Sequence, residues 1–122
     1  MLSVIIVNFK NPPLLRLALT SLSRALGRTL SYEVIVIDSA STVETQNIVR
    51  HDCDGLFGRL ALVPFTENTG YTRGVNEGLR RATGEYLIVL NPDIVVLPGS
   101  LEALMTYLHD HPQVGLVGPG LL

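Results

Sequence analysis

Gly84-Glu-Tyr-Leu-Ile-Val-Leu-Asn-Pro-Asp93 runs from a turn glycine through a tyrosine and four aliphatic residues into an Asn-Pro-Asp turn. So apolar a run, Tyr86 to Leu90, reads as a central strand of a parallel sheet covered on both faces. Ligands of such sheets bind beyond the carboxyl ends of the strands, which is where Asp93 falls. An Asn-Pro-Asp segment is also an ordinary turn former, because Asn and Asp bond their own backbone there, so both readings stand.

The flanking sequence repeats the alternation. Leu2 to Val7 is an apolar strand, followed by Asn11-Pro12-Pro13, an N-cap with prolines suited to a helix's first turn. Leu15, Ala18, Leu19, Leu22 and Leu26 recur at helical spacing up to a stop at Gly27, a core stripe. Glu33 to Asp38 is a second strand ending in a carboxylate, and Ser41-x-x-Glu44 reads as a capping box opening a short helix. His51 to Gly58 lacks any period and reads as a surface loop before a third strand, Leu60 to Pro64. A helix from about Tyr71 to Ala82 carries Gly74 and Gly78 inside it, which implies close approach by a neighbour. Pro98-Gly-Ser100 opens a helix with Leu101, Leu104, Met105 and Leu108 on one face, His111-Pro112 ends it, and Val114 to Gly118 reads as a fifth strand. Strands alternating with helices define an α/β fold: a mainly parallel sheet with helices on both faces.

The 122 residues fit one domain. A formal net charge of -2 with a single lysine excludes a nucleic-acid footprint. The apolar runs are too short for a transmembrane helix, and the N-terminus lacks the charged region of a signal peptide, so a cytoplasmic protein is expected. Cys53 stands alone and reads as a loop or edge residue. His51, His109 and His111 are not at ligand spacing. The turn after the first strand, Asn8-Phe-Lys-Asn-Pro-Pro13, has no glycine, which argues against a dinucleotide-binding oxidoreductase.

Six segments in order, Ser3-Val-Ile-Ile-Val-Asn8, Val36-Ile-Asp38 with Ser39-Ala-Ser41, Asn68-Thr-Gly-Tyr71, Gly74-Val-Asn76, Gly84-Glu-Tyr86 and Asn91-Pro-Asp93, resemble the family 2 inverting glycosyltransferases of the GT-A, Rossmann-like fold. The likeness is to the rhamnosyltransferase-like bacterial branch. The resemblance implies that residues 1–122 are the nucleotide-sugar-binding half of a truncated domain whose acceptor half is absent. It implies a UDP- or dTDP-linked sugar as donor and a glycan or lipid-linked acceptor, at a site peripheral to the inner membrane face. Val7 and Asn8 would border the base, Asp38 would bond the base or ribose, and Ser39 would offer a second polar contact there. Asn68, Gly70, Arg73 and Asn76 would wall the diphosphate and sugar, and Asn91 would precede Asp93, the ligand of Mg²⁺ or Mn²⁺. The catalytic base is expected beyond residue 122, and self-association through the truncated face is expected with it. A non-catalytic nucleotide-sugar-binding module is the alternative. Asp38 also fits a helix-capping role, Asn68-Gly70 a tight turn, and Arg73 and Asn76 a solvated helix face.

Overall fold

The computed structural model describes residues 1–26 and 30–120. The helix stop expected at Gly27 lies outside them. The elements are β1 (Leu2–Phe9), α1 (Pro12–Leu26), β2 (Tyr32–Ser39), α2 (Val43–Asn47), a π-helical turn (Ile48–Asp52), β3 (Leu60–Pro64), α3 (Tyr71–Arg81), β4 (Tyr86–Leu90) and α4 (Ser100–Asp110). Among the described residues the sheet has four strands in the order β3-β2-β1-β4, all parallel. The first three strands step outward in one direction, and β4 returns to the other side of β1. The strand order therefore reverses between β1 and β4.

Side-chain alternation along the strands sorts the core into two layers. Leu2, Val4 and Ile6 of β1 with Val34 and Val36 of β2 pack under α1, the π-helical turn and α4. Ile5, Val7, Ile35 and Ile37 face the opposite way, where Val75 of α3 and Ala82, just after it, pack against them. The helical glycines have a clear cause. A β-carbon on Gly74 would fall 2.7 Å from Val7 Cγ1, and one on Gly78 would fall 2.4 Å from Ile5 Cγ2, so α3 rests its backbone directly on β1.

At the amino ends of the strands one carboxylate ties three elements together. Glu33 Oε1 accepts from the Ser3 hydroxyl at 2.6 Å and from the Thr83 N–H at 2.7 Å, while the Gly84 N–H donates to Ser3 Oγ at 2.8 Å. Gly84 admits no side chain here, because a β-carbon would lie 2.6 Å from the Met1 carbonyl oxygen.

Several expectations are corrected. β4 is the margin of the four-stranded sheet rather than its centre, and Leu87 and Val89 on its α3 side are exposed. Val114 to Gly118 forms no strand; Leu116 is 90% exposed, since no partner strand supplies the hydrogen bonds an extended segment needs. The short helix is capped by Thr42, whose hydroxyl accepts from the Thr45 N–H at 3.2 Å, and not by Ser41. The segment before β3 is no plain surface loop. It begins inside the π-helical turn and folds back so that Cys53 and Phe57 are buried in the core while Asp52, tied to Arg16, stays outside. Burial pushes the Cys53 thiol up from its ordinary pKa, and the neighbouring Asp52 charge adds to this.

Candidate functional site at the carboxyl ends of the strands

Asn8 and Asp38 are register partners at the carboxyl ends of β1 and β2. The Asn8 Nδ2 amide donates to Asp38 Oδ1 at 2.9 Å, and the Ser41 hydroxyl donates to Asp38 Oδ2 at 2.5 Å. Gln46 Nε2 in turn donates to Ser41 Oγ at 3.2 Å. Asp38 is only 1% exposed, so its carboxylate is held below the rim by two donors. Asn8 is fully buried, and its Oδ1 has no hydrogen-bond partner. A buried orphan acceptor costs about 1–3 kcal/mol and calls for a ligand or water to satisfy it.

Ser39 points to the other face of the sheet. Its hydroxyl donates to Asn68 Oδ1 at 3.0 Å and accepts from the Thr69 N–H at 2.7 Å, while the Gly70 N–H donates to Asn68 Oδ1 at 3.0 Å. Gly70 takes φ 75°, a conformation suited to glycine, and α3 starts at the next residue without a side-chain cap. The Ser39 proton is therefore committed to Asn68, which leaves no donor for the second base contact expected of it. Val7 lies on this same face beneath Gly74.

Arg73 and Asn76 are exposed on α3, and Asn91 and Asp93 are exposed beyond the end of β4. The structure thus brings site residues together as two groups on opposite faces of the strand ends, Asn8 with Asp38 and Ser39 with Asn68 and Gly70, while Asn91 and Asp93 follow β4 on the other side of β1. Two strand spacings, about 10 Å, separate the lines of β2 and β4. Asp38 and Asp93 share the rim without touching: no hydrogen bond or ion pair joins them among the described residues. The rim is also the crevice at which strand order reverses, where open α/β sheets take their ligands.

Two features of the rim are absent from the sequence reading. Phe9 is exposed at the end of β1, with Lys10 Nζ 5.3 Å from its ring centroid. Lys10, Asn11 and Ala40 all have positive φ, so the turns after β1 and β2 carry backbone strain. An exposed aromatic and the chain's single lysine directly after a buried strand were the available signal. In the sequence Ser41 reads as a capping residue and as part of the Ser39-Ala-Ser41 segment, with no contact to Asp38 implied.

Asp93 makes no ion pair among the described residues, and no group of three or more His, Cys, Asp or Glu is poised for an ion there. One exposed carboxylate fits an ion completed by phosphate oxygens and water, as Mg²⁺ commonly is, and does not fit an all-protein cage. A separate pocket of about 380 Å³, lined by Arg50, Cys53, Asp54 and Phe57, opens at the amino end of β3, away from this rim.

The sequence profile of Glycosyl transferase family 2 matches residues 3–120, and the chain belongs to that family. Particular relatives narrow the likeness. The N-acetylglucosaminyl-diphospho-decaprenol L-rhamnosyltransferase of Mycobacterium tuberculosis is 31% identical over 97% of this chain and 40% of its own length. The amylovoran biosynthesis glycosyltransferase AmsE of Erwinia amylovora is 32% identical over 52% of this chain and 24% of its own. Among solved structures, the mannosyltransferase PcManGT of Pyrobaculum calidifontis, in complex with GDP-Man and Mn²⁺, superposes with a TM-score of 0.80. It is 29% identical and is matched over 90% of this chain and 32% of its own. TarS of S. aureus, in complex with UDP-GlcNAc, has the same fold, with a TM-score of 0.81 at 22% identity over 99% of this chain and 36% of its own. The chain thus spans 24% to 40% of the lengths of these proteins. No helix among the described residues is long and apolar enough to cross a membrane.

Proposed function

We propose that this chain is the donor half of an inverting glycosyltransferase domain and binds a nucleoside-diphosphate sugar along the rim from Asp38 to Asp93. The observation that carries this reading is the buried Asn8–Asp38 pair, with its unmatched acceptor, on one side of β1 and the exposed Asp93 on the other. The base and ribose lie at Asn8, Asp38 and Phe9, beside Val7. The diphosphate runs between the Asn68–Asn76 segment, including Arg73, and the Asn91–Asp93 turn. Asp93 would hold Mg²⁺ or Mn²⁺, which when bound supplies positive charge against the phosphate that departs with the nucleotide. The chain's own part is to orient the donor: Asp38 accepts from a base or ribose donor, and α3 walls the diphosphate.

The 29% identical neighbour carrying GDP-Man and Mn²⁺ supports a diphosphate sugar and a metal. The rhamnosyltransferase relative, named for a decaprenol-linked substrate, supports a lipid-linked acceptor at a membrane face. None of the carboxylates among the described residues is assigned the role of the base that takes the acceptor's proton. Leu87 and Val89, exposed on β4, lead to self-association of the isolated chain at high concentration.

Calorimetric titration with UDP, dTDP and GDP, each with and without Mn²⁺, tests the reading. Metal-dependent binding of at least one of them supports it, and absence of binding by all three refutes it.

A further inference from the structure

We infer that Ser39 is a positioning residue for the donor's diphosphate and acts through the loop that opens α3; this rests on the donor-binding function proposed above. Ser39 is 1% exposed and its hydroxyl is the only side-chain group from β2 that reaches the Asn68–Gly70 loop in the described hydrogen bonds. One proton and one lone pair of that hydroxyl hold two successive loop residues, Asn68 by its side chain and Thr69 by its backbone. Asn68 in turn holds the Gly70 N–H, so three residues are fixed in series from a rigid interior strand.

The Thr69 and Gly70 amides are thereby taken, and neither is free for a ligand. Beyond them the first turn of α3 has no side-chain cap, so its direction depends on the loop that leads into it. The chain leading into the loop is tied by the Ala40 N–H, which donates to the Glu67 carbonyl at 2.9 Å, but from Asn68 onward the loop is held by Ser39. A β-carbon on Gly70 would meet no atom within 4 Å, so packing does not fix it and hydrogen bonds must. The face of the sheet matters too. Asp38 serves the base side through Asn8 and Ser41, while its neighbour Ser39 serves the diphosphate side, so one dipeptide sets the two ends of the ligand separately.

The test uses the 122-residue chain. UDP, dTDP and GDP are titrated with Mg²⁺, and the tightest is kept together with its own nucleoside, followed by NMR shift changes at millimolar ligand concentration. Ser39→Ala should weaken the diphosphate about fivefold to tenfold and leave the nucleoside within about twofold, and Ser39→Thr, which keeps the hydroxyl, should restore binding. Gly70→Ala, which disturbs the same loop from its other end, should give the same split and serves if Ser39→Ala does not fold. Equal weakening of nucleoside and diphosphate, or no weakening of either, overturns the inference while leaving donor binding intact. Failure of the unaltered chain to bind any of the three overturns the donor-binding function itself and this inference with it.

Discussion

The amide of Asn8 reaches across the ends of β1 and β2 to the buried carboxylate of Asp38 at 2.9 Å, so the first two strands are tied at their carboxyl ends. Two donors converge on that carboxylate, from Asn8 and from Ser41. Asp38→Asn replaces one acceptor oxygen with a donor that faces a donor. Stability should fall by about 1.5–3 kcal/mol, the usual worth of hydrogen bonds to a charged group. Urea unfolding measures it, and a change below about 0.5 kcal/mol would mean the pair is not formed.

Gly78→Ala puts a β-carbon against Ile5, which is fully buried in the layer beneath α3. The substitution gains about 1 kcal/mol of helix propensity. Overpacking costs about 1–3 kcal/mol, so the net effect should be a loss. The double variant with Ile5→Ala should be more stable than the sum of the two single changes implies, because the crowding atoms are gone. Thermal unfolding of all four proteins gives the coupling.

Ala40 occupies φ 48°, a conformation that disfavours a β-carbon by about 1–2 kcal/mol. Glycine removes that strain but also loosens the unfolded chain. Ala40→Gly should therefore stabilise by roughly 0.5–1 kcal/mol, read as a higher urea midpoint with an unchanged slope.

Glu33 is held below the ordinary carboxylate range, first by the Ser3 hydroxyl, then by the Thr83 N–H and hydroxyl and the Arg59 charge, against the opposing effect of burial. With the folded pKa below the unfolded one, the unfolded chain binds the extra proton first. The contribution is present above the unfolded value, about 4.3, and is lost as pH falls through the folded value. Stability should decline more steeply below about pH 4.5 in the unaltered protein than in Glu33→Gln. Identical acid profiles would show that the knot contributes nothing.

Most of the architecture is legible in local pattern, and the exceptions share a cause. The apolar runs Leu2–Val7 and Tyr86–Leu90, the leucine stripe of α1 and the glycines of α3 carry their meaning in a few residues. The marginal position of β4 and the missing strand at Val114–Gly118 depend on which strand lies next door, and no local pattern encodes that. Cys53 and Phe57 are buried by an irregular turn with no period to detect. At the candidate site, Asp38 and Asp93 stand out because each ends or follows an apolar strand, whereas Asn8 is singled out only through the family resemblance. The division of labour between Asp38 and Ser39 came only with the pleat, which sends neighbouring side chains to opposite faces.

The most direct test of a donor cleft spanning β1 is an amide NMR spectrum of the chain titrated with UDP, dTDP or GDP, first with Mg²⁺ and then with trace Mn²⁺. The account predicts shift changes at Asn8, Phe9 and Asp38 together with paramagnetic broadening centred on Asn91 to Asp93 and reaching Gly70 to Arg73, with the broadening abolished by Asp93→Asn. Perturbation confined to the Arg50–Phe57 pocket, or broadening that persists without the Asp93 carboxylate, would contradict it.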